Sequence, residues 1–227
     1  LDMAWQQRAA FVYQPEKLES SIQKAKVLAG KPVVLLDHYD NCASGGTMDT
    51  TTVLAAMLEA RLEQAAAFAI CDPQAAAKLK EAGVGGRVTL AIGGRTDMPA
   101  LGLKGRPIEV SGTVKKISDG LYRNEGPMAR GEQMDMGTSA VLDTGRVEIA
   151  VVSRQVEPFD IAAFRCVGID PSAKRYLMIK SRVHWRAGLG HLANAVVECA
   201  GTGVCTSDYS QLQFRKVRRP AYPLDDM

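Results

Sequence analysis

Pro32-Val33-Val34-Leu35-Leu36 form a short unbroken apolar run that stops at Asp37-His38-Tyr39-Asp40-Asn41. A run without polar alternation suits a strand covered on both faces, as in a parallel sheet. The chain then passes through Ser44-Gly45-Gly46 to Asp49, after which Val53, Leu54, Met57, Leu58 and Leu62 recur at helical spacing. Asp49 is the expected N-cap of that helix, with three threonines between it and the first apolar position. The unit repeats. Residues 66–71 read as a second strand, Asp72-Pro73 opens a second helix with proline at its first position, and Gly83 closes it. The order β-α-β-α predicts an α/β fold, a mainly parallel sheet flanked by helices.

The texture changes over about 85–152, where turn residues recur (Gly93-Gly94, Ser118-Asp119-Gly120, Asp143-Thr144-Gly145) between short β-rich runs such as 107–114 and 147–152. This stretch is expected to be an antiparallel β portion inserted into or extending the core, with a hairpin turn at Asp143-Thr144-Gly145. A short helix over 161–167 and a buried strand over 176–179 follow, while 195–199 fits either strand or helix. Upstream, 16–28 reads as a helix, and 1–13 as one already under way with no capping residue. That start suggests a truncated or processed polypeptide, with residues 1–30 continuing from an upstream domain and 31–227 forming one α/β domain. The tail over 209–227 has few periodic signals and is expected on the surface.

Composition narrows the function classes. With 46% hydrophobic and 23% charged residues the chain is of ordinary globular make-up, and its net charge of +3 is too small to imply a nucleic-acid or membrane partner. No stretch approaches the roughly 18–20 apolar residues of a membrane span, and no signal peptide opens the sequence. Five scattered cysteines, with no CxxC pair, suit a reduced, cytoplasmic protein.

The strongest candidate for chemistry is the loop from Asp37 to Asp49. It leaves the carboxyl end of a buried strand, where open α/β sheets place ligands, and enters a helix N-terminus, which favours anions. Asp37, His38, Asp40, Asn41 and Asp49 supply acid/base or metal-ligand types, and Gly45 and Gly46 allow close backbone approach. The same residues also fit a helix cap, an Asx turn and a folded loop with no ligand. Cys42 reads as an inert loop cysteine rather than a nucleophile. No HExxH or other compact zinc pair exists among the three histidines. Lys180-Ser181-Arg182-Val183-His184-Trp185-Arg186 could hold a carboxylate or phosphate, or could be a basic solvated turn with Trp185 on the core. The dense basic run Arg215-Lys216-Val217-Arg218-Arg219 is partly offset by Asp225 and Asp226 and suits surface packing or an interdomain contact.

These pieces together resemble the C-terminal domain of the microcystinase-C-like (MlrC-like) metallopeptidases. The resemblance rests on Leu36-Asp37-His38-Tyr39-Asp40-Asn41 with Ser44-Gly45-Gly46 and Asp49-Thr50-Thr51. It continues in order through Gly93-Gly94-Arg95-Thr96-Asp97, Ser153-Arg154 with Pro158-Phe159-Asp160, Gly168-Ile169-Asp170-Pro171, Lys180-Ser181 with His184-Trp185-Arg186, and Arg218-Arg219-Pro220. Cys42-Ala43 stand where the family commonly has proline and glycine. The resemblance implies part of a bacterial zinc-dependent peptide or amide hydrolase, in which zinc lowers the pKa of its bound water to about 7. It also implies that the main zinc ligands lie in an N-terminal metal-binding domain, the expected partner, so that zinc is not held by this chain alone. Under that resemblance Asp40 and His184 are the expected catalytic residues. Asn41, Gly45, Gly46, Asp49, Arg154 and Arg186 are expected to bind substrate or anion, and Asp37 or Asp40 could touch metal. A small peptide or amide is the expected substrate, with no nucleic acid and no membrane, and a homo-oligomer is possible. The alternatives are a small-anion binding module and a structural or dimerisation domain.

Overall fold

The computed structural model describes all residues, 1–227. Its centre is an eight-stranded sheet in the order β10-β1-β9-β2-β8-β7-β4-β3. The strands are β1 (Val33–Asp37), β2 (Ala65–Cys71), β3 (Arg87–Ile92), β4 (Ile108–Ser118), β7 (Ser139–Asp143), β8 (Val147–Val152), β9 (Tyr176–Ile179) and β10 (Ala195–Cys199). A separate antiparallel hairpin joins β5 (Leu121–Arg123) to β6 (Gln133–Asp135). Around them lie α1 (Asp2–Gln6), α2 (Leu18–Val27), α3 (Thr52–Glu59), α4 (Pro73–Ala82), α5 (Ile161–Cys166) and α6 (Trp185–Leu189).

The apolar run in β1 is explained by its two neighbours and two faces. It pairs in parallel with β10 and β9, and Val33 and Leu35 face one core cluster while Val34 and Leu36 face the other. The first cluster holds Ile22 and Ala25 of α2, Val53, Leu54 and Met57 of α3, and Leu79 of α4. The second holds Phe164 of α5, stacked on Phe68 of β2 at 4.1 Å between ring centroids, together with Trp185 and Leu189 of α6. Burial on both faces removes any need for polar alternation. Deleting one such side chain costs about 2–5 kcal/mol.

The sheet is parallel from β10 to β8 and antiparallel from β8 to β3. The β-rich portion is therefore an extension of the same sheet, and β8, its last strand, also serves as a parallel partner of β2. β4 changes partner along its length, pairing with β3 up to Thr113 and with β7 beyond it, with a register shift between Val114 and Lys116. This change of course carries the connection after β3 to the carboxyl edge of the parallel strands. There Gly93 N–H donates to Asp72 at 2.9 Å and Gly94 N–H to the Asp49 carbonyl at 2.6 Å.

Two local expectations are corrected and one left open is decided. Residues 1–13 are not one helix: α1 stops at Gln6 and a 3-10 turn follows over Arg8–Phe11, because neither buries a residue. The arm is tied instead to the C-terminal tail, through Trp5 edge-on to Tyr222 and Arg8 donating to the Met227 carbonyl at 2.6 Å. Residues 195–199 are a strand, since β1 offers a parallel edge. The N-cap of α3 is Thr51, not Asp49, whose carboxylate is taken by other partners. Asp72 does cap α4, accepting from Ala75 N–H at 3.0 Å.

Candidate functional site at the carboxyl edge of the sheet

The parallel strands end along one edge, and the segments leaving β1, β8 and β9 bring together residues far apart in sequence. The most buried of these is Lys180, directly after β9. Its ammonium lies 2.7 Å from Asp37 Oδ2, 2.9 Å from Asp40 Oδ2 and 3.0 Å from Thr50 Oγ1. All of Lys180, Asp37 and Asp40 are at most 1% exposed. A cation between the two aspartates is thus supplied by the protein itself, where the sequence left open a metal contact through Asp37 or Asp40.

The two carboxylates differ in what else they touch. Asp40 Oδ1 accepts from Met48 N–H at 2.8 Å and lies 3.0 Å from Thr47 Oγ1, and Oδ2 accepts from Thr50 N–H and Thr50 Oγ1, both at 2.9 Å. Burial alone would raise its pKa, but Lys180 and the Thr50 donors outweigh that and hold it below the ordinary value. Asp37 has only Lys180, and its Oδ1 is buried with no partner. Burial pushes its pKa up to about 6, Lys180 offsetting part of the rise and the Asp40 charge adding to it. On Lys180, burial opposes the charge, yet the two carboxylates raise its pKa.

Around this ion cluster the 37–49 loop is folded on itself. Asn41 Oδ1 accepts from Ala43 N–H at 3.0 Å, an Asx turn, and its amide donates to Ser44 Oγ at 3.3 Å. Gly45 N–H and Gly46 N–H donate to the carbonyls of Cys42 and Asn41, so neither is a free donor for a ligand. Gly46 is required for space: a Cβ there would sit 2.7 Å from the Asp40 backbone carbon and 2.8 Å from the Asn41 carbonyl oxygen. Gly45 is required for conformation, at φ 92° with open space beside it. Asp49 accepts from Thr47 Oγ1 at 2.5 Å and from Arg95 N–H and Thr96 N–H at 2.8 and 2.9 Å, which ties the loop to the connection after β3. Cys42 lies within this fold, where burial, then the Glu157 and Asp40 charges, push its thiol up to about 11. It is a protonated thiol at neutral pH, as the sequence reading favoured.

His184 stands apart from that cluster. Its Nδ1 is 2.7 Å from Glu157 Oε2, and Glu157 Oε1 accepts from Ser181 Oγ at 2.5 Å. The Glu157 side chain is 5% exposed and the His184 side chain 49%. The imidazole is therefore held from the protein side and open on the other. Glu157 was not singled out in the sequence, since it precedes His184 by 27 residues and meets it only through the packing of two edge loops.

The cations expected to hold an anion are not gathered here. Arg154 is exposed and paired with Asp135 of β6. Arg186 is exposed, donates to the Arg182 carbonyl at 3.1 Å and lies over the Trp185 ring. A different concavity, of about 220 Å³, opens beside the first turn of α3 and is lined by Thr51, Thr52, Thr96, Lys104, Arg106 and Thr202. Asp49 and the start of α3 were candidates from the sequence, but the walls from the connection after β3 and from Thr202 were not, because they come from separate connections. No three His, Cys, Asp or Glu side chains in the chain are grouped so as to hold a metal ion. The residues present therefore do not fit a zinc centre of the chain's own.

The profile of the MlrC C-terminus matches residues 35–216. The chain belongs to the MlrC C-terminal family. It is 28% identical over 213 residues to microcystinase C of Sphingomonas sp., covering 93% of this chain and 39% of that protein. It is also similar to the crystal structure of a candidate metallopeptidase from Mesorhizobium sp. BNC1, with a TM-score of 0.80 and 25% identity over 100% of this chain and 44% of that one. The chain thus spans about two-fifths of the length of these relatives. No helix in it is long and apolar enough to cross a membrane.

Proposed function

We propose that this MlrC C-terminal chain is the cleft-facing half of a metal-dependent peptide or amide hydrolase, working with an N-terminal domain that holds the zinc. The observation that carries the reading is the imidazole of His184, braced on one side by buried Glu157 and open on the other at the carboxyl edge of the sheet. Ligands of α/β sheets bind along that edge. Because no metal-holding cluster exists here, no step through zinc is assigned to this chain. Its own contribution is to move a proton at His184 Nε2, between water or the leaving amide nitrogen and the ring.

Asp40 and Asn41 act in this reading through the loop they fold. Lys180 and the Met48 and Thr50 hydrogen bonds to Asp40 fix the path from β1 to α3, and with it the edge against which the partner domain closes. Five unpaired cysteines are in keeping with a reducing cytoplasm. The test is metal content and turnover together. The purified chain is expected to carry far less than one zinc per molecule by mass spectrometry after dialysis. The longer polypeptide joining it to a metal-binding domain is expected to cleave short linear peptides in a zinc-dependent manner. Stoichiometric zinc in the chain alone, or no hydrolysis by the joined polypeptide, overturns the proposal.

A further inference from the structure

We propose that Glu157 is a positioning residue for His184, fixing the neutral imidazole with its proton on Nδ1 and its lone pair on Nε2 turned outward. This deepens the hydrolase reading for the use made of Nε2, but the tautomer follows from the contacts alone. Glu157 has two partners and they use different oxygens: Ser181 Oγ at Oε1 and His184 Nδ1 at Oε2. Ser181 Oγ also accepts from Trp185 N–H at 3.4 Å, which leaves its own hydrogen free to point at Glu157. An ionised carboxylate can only accept, so the group opposite Oε2 must be a donor, Nδ1–H.

The scaffold behind this pair is rigid. Ser181 follows Lys180, whose side chain is anchored to Asp37, Asp40 and Thr50, and precedes α6, whose Trp185 is fully buried. No protein atom bonds His184 Nε2, which leaves that nitrogen to solvent or a ligand. A free neutral imidazole prefers the proton on Nε2, so the carboxylate reverses the intrinsic choice. A nitrogen held in this way can accept a proton or meet a Lewis acid without first shifting its own hydrogen.

The experiment is long-range proton–nitrogen NMR on the nitrogen-15-labelled chain, at a pH where the ring is neutral. The expected His184 pattern has a protonated Nδ1 and an unprotonated Nε2. A dominant Nε2–H form in the parent chain overturns the proposal. In Glu157→Ala the ring is expected to revert mainly to Nε2–H, and retention of Nδ1–H there also overturns it. Glu157→Gln, which keeps the shape, guards against loss of fold, with the His38 and His191 signals as reference, and is expected to weaken the Nδ1–H preference. In the longer polypeptide, Glu157→Gln is expected to lower kcat/KM by about 10–100-fold with KM little changed. If the tautomer behaves as stated and kcat/KM does not move, the positioning of the ring stands and it is the hydrolytic role of His184 that falls.

Discussion

Replacing Asp40 by asparagine puts an amide NH2 where one carboxylate oxygen was, and every side of that carboxylate faces a donor. If the NH2 takes the Oδ1 position it opposes Met48 N–H, 2.8 Å away, and if it takes Oδ2 it opposes Thr50 N–H at 2.9 Å and the Lys180 ammonium. Neither backbone amide can turn aside. Hydrogen bonds to a charged group contribute about 1.5–3 kcal/mol each, and at least two are lost with no water to replace them. Lys180 keeps only Asp37 as a charged partner. A loss of about 3–5 kcal/mol follows from those hydrogen bonds. In urea, with a slope of about 2 kcal/mol per molar, the unfolding midpoint should fall by about 2 M. Asp37→Asn is the internal comparison. Asp37 Oδ1 has no partner, so the NH2 can sit there while the amide oxygen still accepts from Lys180. That variant should stay within about 1 kcal/mol of the parent. Equal midpoints for the two variants would refute the reasoning. So would an Asp40→Asn protein of parental stability that had lost only activity, since Asp40 would then act in the chemistry rather than through the loop.

Other predictions follow from the same geometry. Asp37 has a folded pKa of about 6 against an ordinary 3.8, so between those values the folded state holds more of its proton. Its contribution to stability therefore rises as pH falls from above 6 towards 3.8, by about 3 kcal/mol at most, and the slope should be absent in Asp37→Asn when urea midpoints are compared across pH. Asp40, with its pKa depressed, acts oppositely: its contribution is present above 3.8 and is lost as pH falls further. Gly46→Ala should cost about 1–3 kcal/mol by thermal unfolding, because the added carbon meets the Asp40 and Asn41 backbone, which a side chain rotation cannot relieve. A Gly46→Ala protein as stable as the parent would mean that the loop is looser than described. Cys42, held as a thiol, should react with iodoacetamide at pH 7 much more slowly than a free cysteine; reaction as fast as free cysteine would put a thiolate there.

Local and periodic features carried most of the fold. The apolar run before Asp37 foretold a strand covered on both faces, and Asp72-Pro73 foretold the start of α4, because each depends on neighbours in sequence. The candidate site was legible only as a place. Lys180 was read with Arg182 and Arg186 as one outward basic cluster, yet it points inward, because the carboxylates that make its burial tolerable lie 143 and 140 residues away. Asp49 resembled a helix cap and was claimed instead by the backbone of Arg95 and Thr96, a tertiary pairing that outcompetes the local one. Glu157 carried no signal of its own: one acidic residue after a strand takes on meaning only when the loop from β9 brings an imidazole against it. The family resemblance pointed to His184 without supplying this partner.

The most direct test of the account is kcat/KM for peptide hydrolysis by the longer polypeptide carrying His184→Ala, with zinc per molecule measured on the same sample. The account predicts a fall of at least about 100-fold at unchanged zinc content, as expected for loss of a positioned acid or base. Unchanged kcat/KM at full zinc occupancy would contradict it and remove this chain from the chemistry.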